Sequence, residues 1–308
     1  MAKIKSNLWV ETYRPTTVAD IVLPKEFKKY FNNIVKTGEL PNLLLCSPVP
    51  GTGKTTLAKA LVHDLGAEYI YINASSENSI DVIRTQIAEF AQTMSFSGGQ
   101  KVVILDEADG LTPQFQKALR AFIEEFASNC RFILTCNYLG KIIPALRQGR
   151  TQVFDFNMAK FKDELLPTII KRITGILKFE KIDFDEEVIA PLCEAYFPSL
   201  RQVIATIQQY SQVYGKIDNG ILSFKDVGDD LANMIVEKKK LVEIRNYIEQ
   251  QGMSYTDFFK NLFDRLPTKT KNPAQCILIL AEYEFRCGTS SDPSLQIAAC
   301  ILELMGIV

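Results

Sequence analysis

The sequence contains a single histidine and a single tryptophan among its 308 residues. One histidine cannot build a His-rich metal centre. None of the seven cysteines (Cys46, Cys130, Cys136, Cys193, Cys276, Cys287, Cys300) stands in a CxxC pair, so a structural zinc site is not expected. An odd, scattered set of thiols suits a reducing cytosol, where cysteine serves as a small apolar side chain. No apolar run approaches the roughly 18 residues of a membrane span, and no basic-then-apolar leader opens the chain. The expectation is a cytoplasmic protein, neither secreted nor membrane-spanning. An excess of either charge is also missing, with 35 basic residues against 36 acidic ones. Any contact with nucleic acid must therefore come from a local patch and not from the charge of the whole chain. Internal repeats and low-complexity segments are absent from the sequence as well.

What is present is apolar and regularly spaced. Hydrophobic residues make up 47% of the chain, enough for substantial cores, and the length allows two or three domains. Residues 41–46 (PNLLLC), 68–72 (EYIYI), 101–105 (KVVIL), 131–136 (RFILTC) and 153–156 read as short strands. Between them, Leu57, Leu61 and Leu65 share one helical stripe, and residues 80–94 carry apolar side chains at helical spacing with Asp81 in the first turn. Residues 113–126 read as a third helix. Strands alternating with helices predict a parallel sheet covered on both faces. After Asn157 the strand signal disappears. Helices are expected near residues 162–179, 185–195 and 199–212, and a further helical region follows the break at Gly228, Asp229 and Asp230.

The most informative segment lies between the first strand and its helix: Pro50, Gly51, Thr52, Gly53, Lys54, Thr55, Thr56. This is the context a P-loop requires. Glycines let successive backbone amides face phosphate oxygens, and the helix N-terminus adds partial positive charge. Lys54 is placed to reach the β- and γ-phosphates of ATP, and the Thr55 hydroxyl to ligate Mg²⁺. The strict pattern asks for a glycine at position 48, where this chain has Pro48. Further on, the strand ending in Asp106 and Glu107 supplies two carboxylates, one to hold Mg²⁺ through water and one to polarise the attacking water. The expectation is that this strand lies beside the P-loop strand.

Several further segments resemble the clamp-loader ATPases of the replication factor C type. Trp9-Val10-Glu11-Thr12-Tyr13-Arg14-Pro15 is similar to that family's amino-terminal signature. Asp106-Glu107-Ala108-Asp109 resembles its DEAD box, and residues 116–138 resemble the segment running from that box to sensor 1. Pro198-Ser199-Leu200-Arg201 resembles the start of its sensor 2 helix. The Ser-Pro-x-Pro-Gly-Thr-Gly-Lys-Thr loop is similar to the loaders of large tailed bacteriophages, which would place the chain in a host cytoplasm. The likeness is dense over residues 9–210.

The resemblance implies an α/β fold: an AAA+ ATPase domain (1–157), a helical lid (158–227) and a helical collar (228–308). It implies an ATPase that opens a sliding clamp and loads it onto primer–template DNA, acting with other loader subunits, as a hetero-pentamer containing several copies of this chain. By the same resemblance Asn137 is sensor 1, Arg201 is sensor 2, and Tyr13, Arg14 and Pro15 line the adenine pocket. Arg150 is the arginine finger supplied to a neighbour, with Arg147 as the reserve because the family's Ser-Arg-Cys motif appears here as Gln148-Gly149-Arg150-Thr151. Ser79 and Arg84 are the DNA-phosphate candidates. Met94 and Phe96 lie where relatives present apolar side chains to the clamp, with ordinary core or loop burial as the alternative. A branch-migration helicase and an ATP-binding scaffold subunit stand as the alternatives.

Overall fold

The computed structural model describes residues 8–74, 80–93, 99–224, 227–251, 253–290 and 292–308. The chain divides into two compact units, Met1–Leu222 and Ser223–Val308. In the first, α1 (Trp9–Thr12) and α2 (Lys25–Thr37) precede β1 (Leu43–Cys46), α3 (Lys54–Asp64) and β2 (Glu68–Asn73). Next come α4 (Ile80–Gln92), β3 (Lys101–Asp106), α5 (Pro113–Glu125), β4 (Cys130–Cys136), α6 (Pro144–Arg147) and β5 (Gln152–Asp155). The five strands form one parallel sheet in the order β2-β3-β4-β1-β5.

Exposure follows position in the sheet. Every residue of β1 and β3 is buried, as expected of central parallel strands covered on both faces, whereas β2 and β5 at the edges are partly open. On one face Val103, Leu105, Phe132 and Leu134 pack with Ile83 and Ile87 of α4 and Phe115, Leu119 and Ile123 of α5. On the other, α3 lies against β3 and β4, with α2 against α3. Thr112 caps α5 by accepting from the Phe115 N–H, and Pro113 occupies the first turn, where its missing N–H costs nothing.

The strand order corrects one expectation. β3, which ends in Asp106, is not beside the P-loop strand β1; β4 lies between them. Consecutive strands in sequence need not be neighbours in a parallel sheet, because each helical crossover can pass over a strand position that a later strand fills. The insertion brings Asn137, just past the end of β4, between the phosphate loop and the two carboxylates.

The unit continues with α7 (Lys162–Glu180), α8 (Glu186–Tyr196) and α9 (Leu200–Tyr214). Strand structure does not vanish after Asn157, because two-residue strands β6 (Asp183–Phe184) and β7 (Lys216–Ile217) pair in parallel. Two residues carry too little alternation to be read from sequence. The second unit is all helical: α10 (Val227–Val236), α11 (Leu241–Gln250), α12 (Tyr255–Arg265), α13 (Pro273–Thr289) and α14 (Pro293–Ile307). Its core is built from Leu231, Ile244, Phe258, Leu262, Ile279, Cys300 and Leu304, among others.

Candidate active site

The loop between β1 and α3 holds its shape through its glycines. Gly51 and Gly53 have φ of 79° and 97°, in the left-handed region that a Cβ disfavours. Gly51 is required a second time, by space: a Cβ there would stand 2.6 Å from Ser199 Oγ and 3.0 Å from Arg201 Cβ. The helical segment that begins with α9 thus touches the phosphate loop directly and brings Arg201 to it. Ser199 caps α9 by accepting from the Gln202 N–H.

Lys54 opens α3 and is buried. Its ammonium donates to Ser47 O (3.2 Å), Val49 O (3.5 Å) and Asn137 Oδ1 (2.9 Å). Burial pushes its pKa down, against the opposing pull of Cys136, Cys46, Asp106 and Asp109. Asn137 is itself fixed from behind, since Asp109 Oδ2 accepts from the backbone N–H groups of Asn137 (3.3 Å) and Tyr138 (3.1 Å).

Next to Lys54, Thr55 Oγ1 donates to Asp106 at 2.8 Å and 3.0 Å from its two carboxylate oxygens. Asp106 also accepts from the hydroxyls of Tyr71 (2.7 Å) and Thr135. Glu107 adopts φ 56° and ψ 42°, a left-handed conformation that is costly for a residue with a side chain, and its N–H donates to Thr135 Oγ1 (3.1 Å). Thr135 therefore ties both carboxylate residues to β4.

A hydroxyl beside a carboxylate is a hard oxygen donor set, which suits Mg²⁺. Among the described residues no three His, Cys, Asp or Glu side chains come together as metal ligands. Mg²⁺ in nucleotide sites needs only one or two carboxylates together with substrate phosphates, so Thr55 and Asp106 fit it.

A cleft is lined by Tyr13, Arg14, Pro15, Gly51, Thr52, Gly53, Lys54, Thr55, Thr56 and Arg201. Arg14 Nε donates to Thr56 Oγ1 (3.2 Å), joining the amino-terminal segment to α3. Arg172 of α7 donates to Tyr13 O (2.8 Å) and Asp20 O (2.9 Å), the Tyr13 hydroxyl bonds Glu180, and Trp9 N–H donates to Gln208 Oε1 (2.9 Å). The wall around Tyr13 is thus held by the helices that follow the sheet.

Of the residues expected from sequence, Tyr13 to Pro15, Gly51 to Thr56 and Arg201 meet at this cleft. Asp106 and Asn137 join it through bonds to Thr55 and Lys54, Glu107 follows Asp106 directly, and Pro50 precedes Gly51 in the loop. Arg150 lies elsewhere, between α6 and β5, where its guanidinium is ion-paired with Glu124 of α5. Arg147 ends α6, with a buried Nε that has no hydrogen-bond partner. Arg84 is exposed on α4, whereas Ser79, Met94 and Phe96 fall outside the described residues. Sequence reading missed Tyr71 and Thr135; the one available signal, at Thr135, was a hydroxyl in the apolar run of β4.

Comparison with known proteins shows the family. Residues 43–158 match the model of the ATPase family associated with various cellular activities (AAA), and residues 162–223 match that of the sliding-clamp-loader large subunit, AAA+ ATPase lid domain. The replication factor C small subunit of Sulfurisphaera tokodaii is 35% identical, covering 96% of this chain and 94% of the relative. The sliding-clamp-loader large subunit of Enterobacteria phage T4 is 34% identical, covering 97% and 96%. The chain belongs to the clamp-loader ATPase family. Members of this family hydrolyse ATP. A solved structure of a RuvB variant from Thermotoga maritima aligns with TM-score 0.58 at 15% identity, covering 78% of this chain and 86% of that one. At that identity the likeness shows the AAA+ fold alone. No described helix is long and apolar enough to cross a membrane.

Proposed function

We propose that this chain binds ATP in the cleft between its sheet and the helices after it, and uses hydrolysis to control the loading of a sliding clamp onto primer–template DNA. The observation that carries the reading is the convergence of Lys54, Thr55, Asp106 and Asn137 in one hydrogen-bonded group, with Arg201 against the same loop.

In this reading the amides of Gly51 to Thr55 and the Lys54 ammonium hold the phosphates, and the loss of Lys54's present carbonyl and amide partners is offset by phosphate oxygens. Thr55 and Asp106 would hold Mg²⁺, which when bound neutralises charge on the β- and γ-phosphates. Glu107 orients and polarises the attacking water from its strained position. Asn137 hydrogen-bonds that water or the γ-phosphate, and Arg201 registers the presence of that phosphate. The base lies against Tyr13, Arg14 and Pro15.

Arg150 does not line the cleft of its own chain, which supports its role as a finger for a neighbouring subunit. Its partner Glu124 is 47% exposed, and a pair in water exchanges readily for a phosphate. The complex is read as several copies of this chain together with other loader subunits, divided into ATPase, lid and collar at 1–157, 158–227 and 228–308. Arg84 contacts DNA phosphate. Reconstitution tests the whole: ATP turnover should rise only when partner subunits, clamp and primed DNA are all present, and clamps should become topologically linked to the DNA. Full turnover by the chain alone, indifferent to DNA and clamp, would overturn it.

A further inference from the structure

Tyr71 is absent from every role assigned so far, and its setting is unusual. β2 is an edge strand, and Tyr71 is 38% exposed on it. A half-exposed tyrosine ordinarily gives its hydroxyl to water and keeps its ring inside. Here the hydroxyl points inward and donates to Asp106 Oδ2 at 2.7 Å.

The sheet register explains how it arrives there. Tyr71 sits opposite Ile104 of β3, and Asp106 lies two residues further along on the same face. The length of the phenol bridges that step. From above, the Lys59 ammonium of α3 lies 4.1 Å from the ring centroid, a cation–π contact that fixes the ring over the carboxylate.

The Asp106 carboxylate is thus gripped from three sides: by Tyr71 on β2, by Thr135 on β4 and by Thr55 on α3. Only Thr55 belongs to the set expected to hold the ion. Were the other two hydroxyls absent, the carboxylate could rotate about its Cβ–Cγ bond and meet the ion in several orientations. Groups that orient a ligating carboxylate commonly change metal affinity about 10–100-fold when removed.

We propose that Tyr71 is a positioning residue of the ATP site, whose hydroxyl locks the orientation of Asp106 and thereby sets the affinity for the divalent ion that accompanies ATP. This rests on the reading that Thr55 and Asp106 hold Mg²⁺.

The test is Tyr71→Phe in the full chain, which keeps the ring and the Lys59 contact and removes one oxygen. Binding of a fluorescent non-hydrolysable ATP analogue is titrated with Mg²⁺, and separately with Mn²⁺ followed by its electron-spin signal. The Mg²⁺ concentration for half-maximal binding should rise about tenfold, while affinity for the analogue in excess chelator stays at the parent value. In the reconstituted complex, kcat should return towards the parent at high Mg²⁺. A superimposable Mg²⁺ titration for Tyr71→Phe, beside a large shift for Asp106→Asn, overturns the proposal and leaves the ion site standing. No shift in either variant overturns the ion site itself. An equal loss with and without Mg²⁺ reduces Tyr71 to a structural part and also overturns the proposal.

Discussion

The two units of the chain fill their interiors with different chemistry. In the first, Ser47, Thr52, Lys54, Lys101, Asp106, Gln116, Thr135, Thr151, Ser199, Gln208 and Ser211 are buried. In the second, among the described residues, no Ser, Thr, Asn, Gln, Asp, Glu, Lys or Arg is buried as a whole residue, although Thr270 Oγ1 is buried without a partner, and helices meet through leucine, isoleucine, phenylalanine and cysteine. A buried polar group costs free energy unless its bonds are made, so a core that keeps many of them must satisfy each one. The first unit does so for most of them: Gln116 donates to Leu111 O and Lys141 O (both 3.0 Å) and accepts from Ile143 N–H (2.8 Å), and Lys101 donates to Phe90 O (2.9 Å), whereas Arg147 Nε and Arg172 Nε stay buried without a partner. Polar burial is concentrated where atoms must stand in one geometry, and the apolar unit needs only to hold together.

The contrast predicts that substitutions at the site cost rate, and that substitutions in the second core cost stability. The largest effect is expected from Arg150→Ala in the reconstituted complex, where DNA-stimulated turnover should fall about a thousandfold or more while ATP binding and assembly persist. Mixing this variant with a Lys54-defective chain should restore part of the activity, because an interface can still join one intact loop to one intact arginine. Arg147→Ala, lost activity and all, beside a normal Arg150→Ala, would transfer the role to Arg147. Glu107→Gln comes next, with binding retained and steady-state hydrolysis reduced about a hundredfold or more. Unchanged turnover removes Glu107 from the chemistry.

In the second unit, Leu304→Ala should lower stability by about 2–5 kcal/mol in denaturant titration, with the ATP affinity of the folded chain intact. A matching loss of ATP affinity in the folded chain would break the contrast between the units. The smallest effect is Arg84→Ala, which should reduce the slope of log affinity for primed DNA against log salt by about one. A parent-like salt titration withdraws α4 from the DNA surface.

Much of this was legible in the sequence because its signals are local. The run LLLC ahead of a glycine-bearing loop and a leucine stripe marks β1, the phosphate loop and α3 without reference to anything distant. Strand order is different in kind. The sequence of β3 reads the same whether it pairs with β1 or with β4, because both neighbours bury it equally. Tyr71 and Thr135 escaped for a related reason: alternation along a strand says which face a side chain takes, and only the register says whom it meets there. Arg201 was legible as a motif, but its contact with Gly51 spans the two parts of the first unit and has no local trace. The helix α2 went unread too, although Phe27, Phe31 and Ile34 stand at helical spacing among charged residues.

That contact between Gly51 and the start of α9 has a mechanical meaning. The gap between the phosphate loop and Ser199 is narrower than one methyl group. A coupling with clearance wastes the first part of any motion, and this one leaves little clearance. A rotation of the lid helices would press on the loop early, and a shift of the loop as phosphate comes or goes would press on the lid. Gly51→Ala would force the loop and the start of α9 apart.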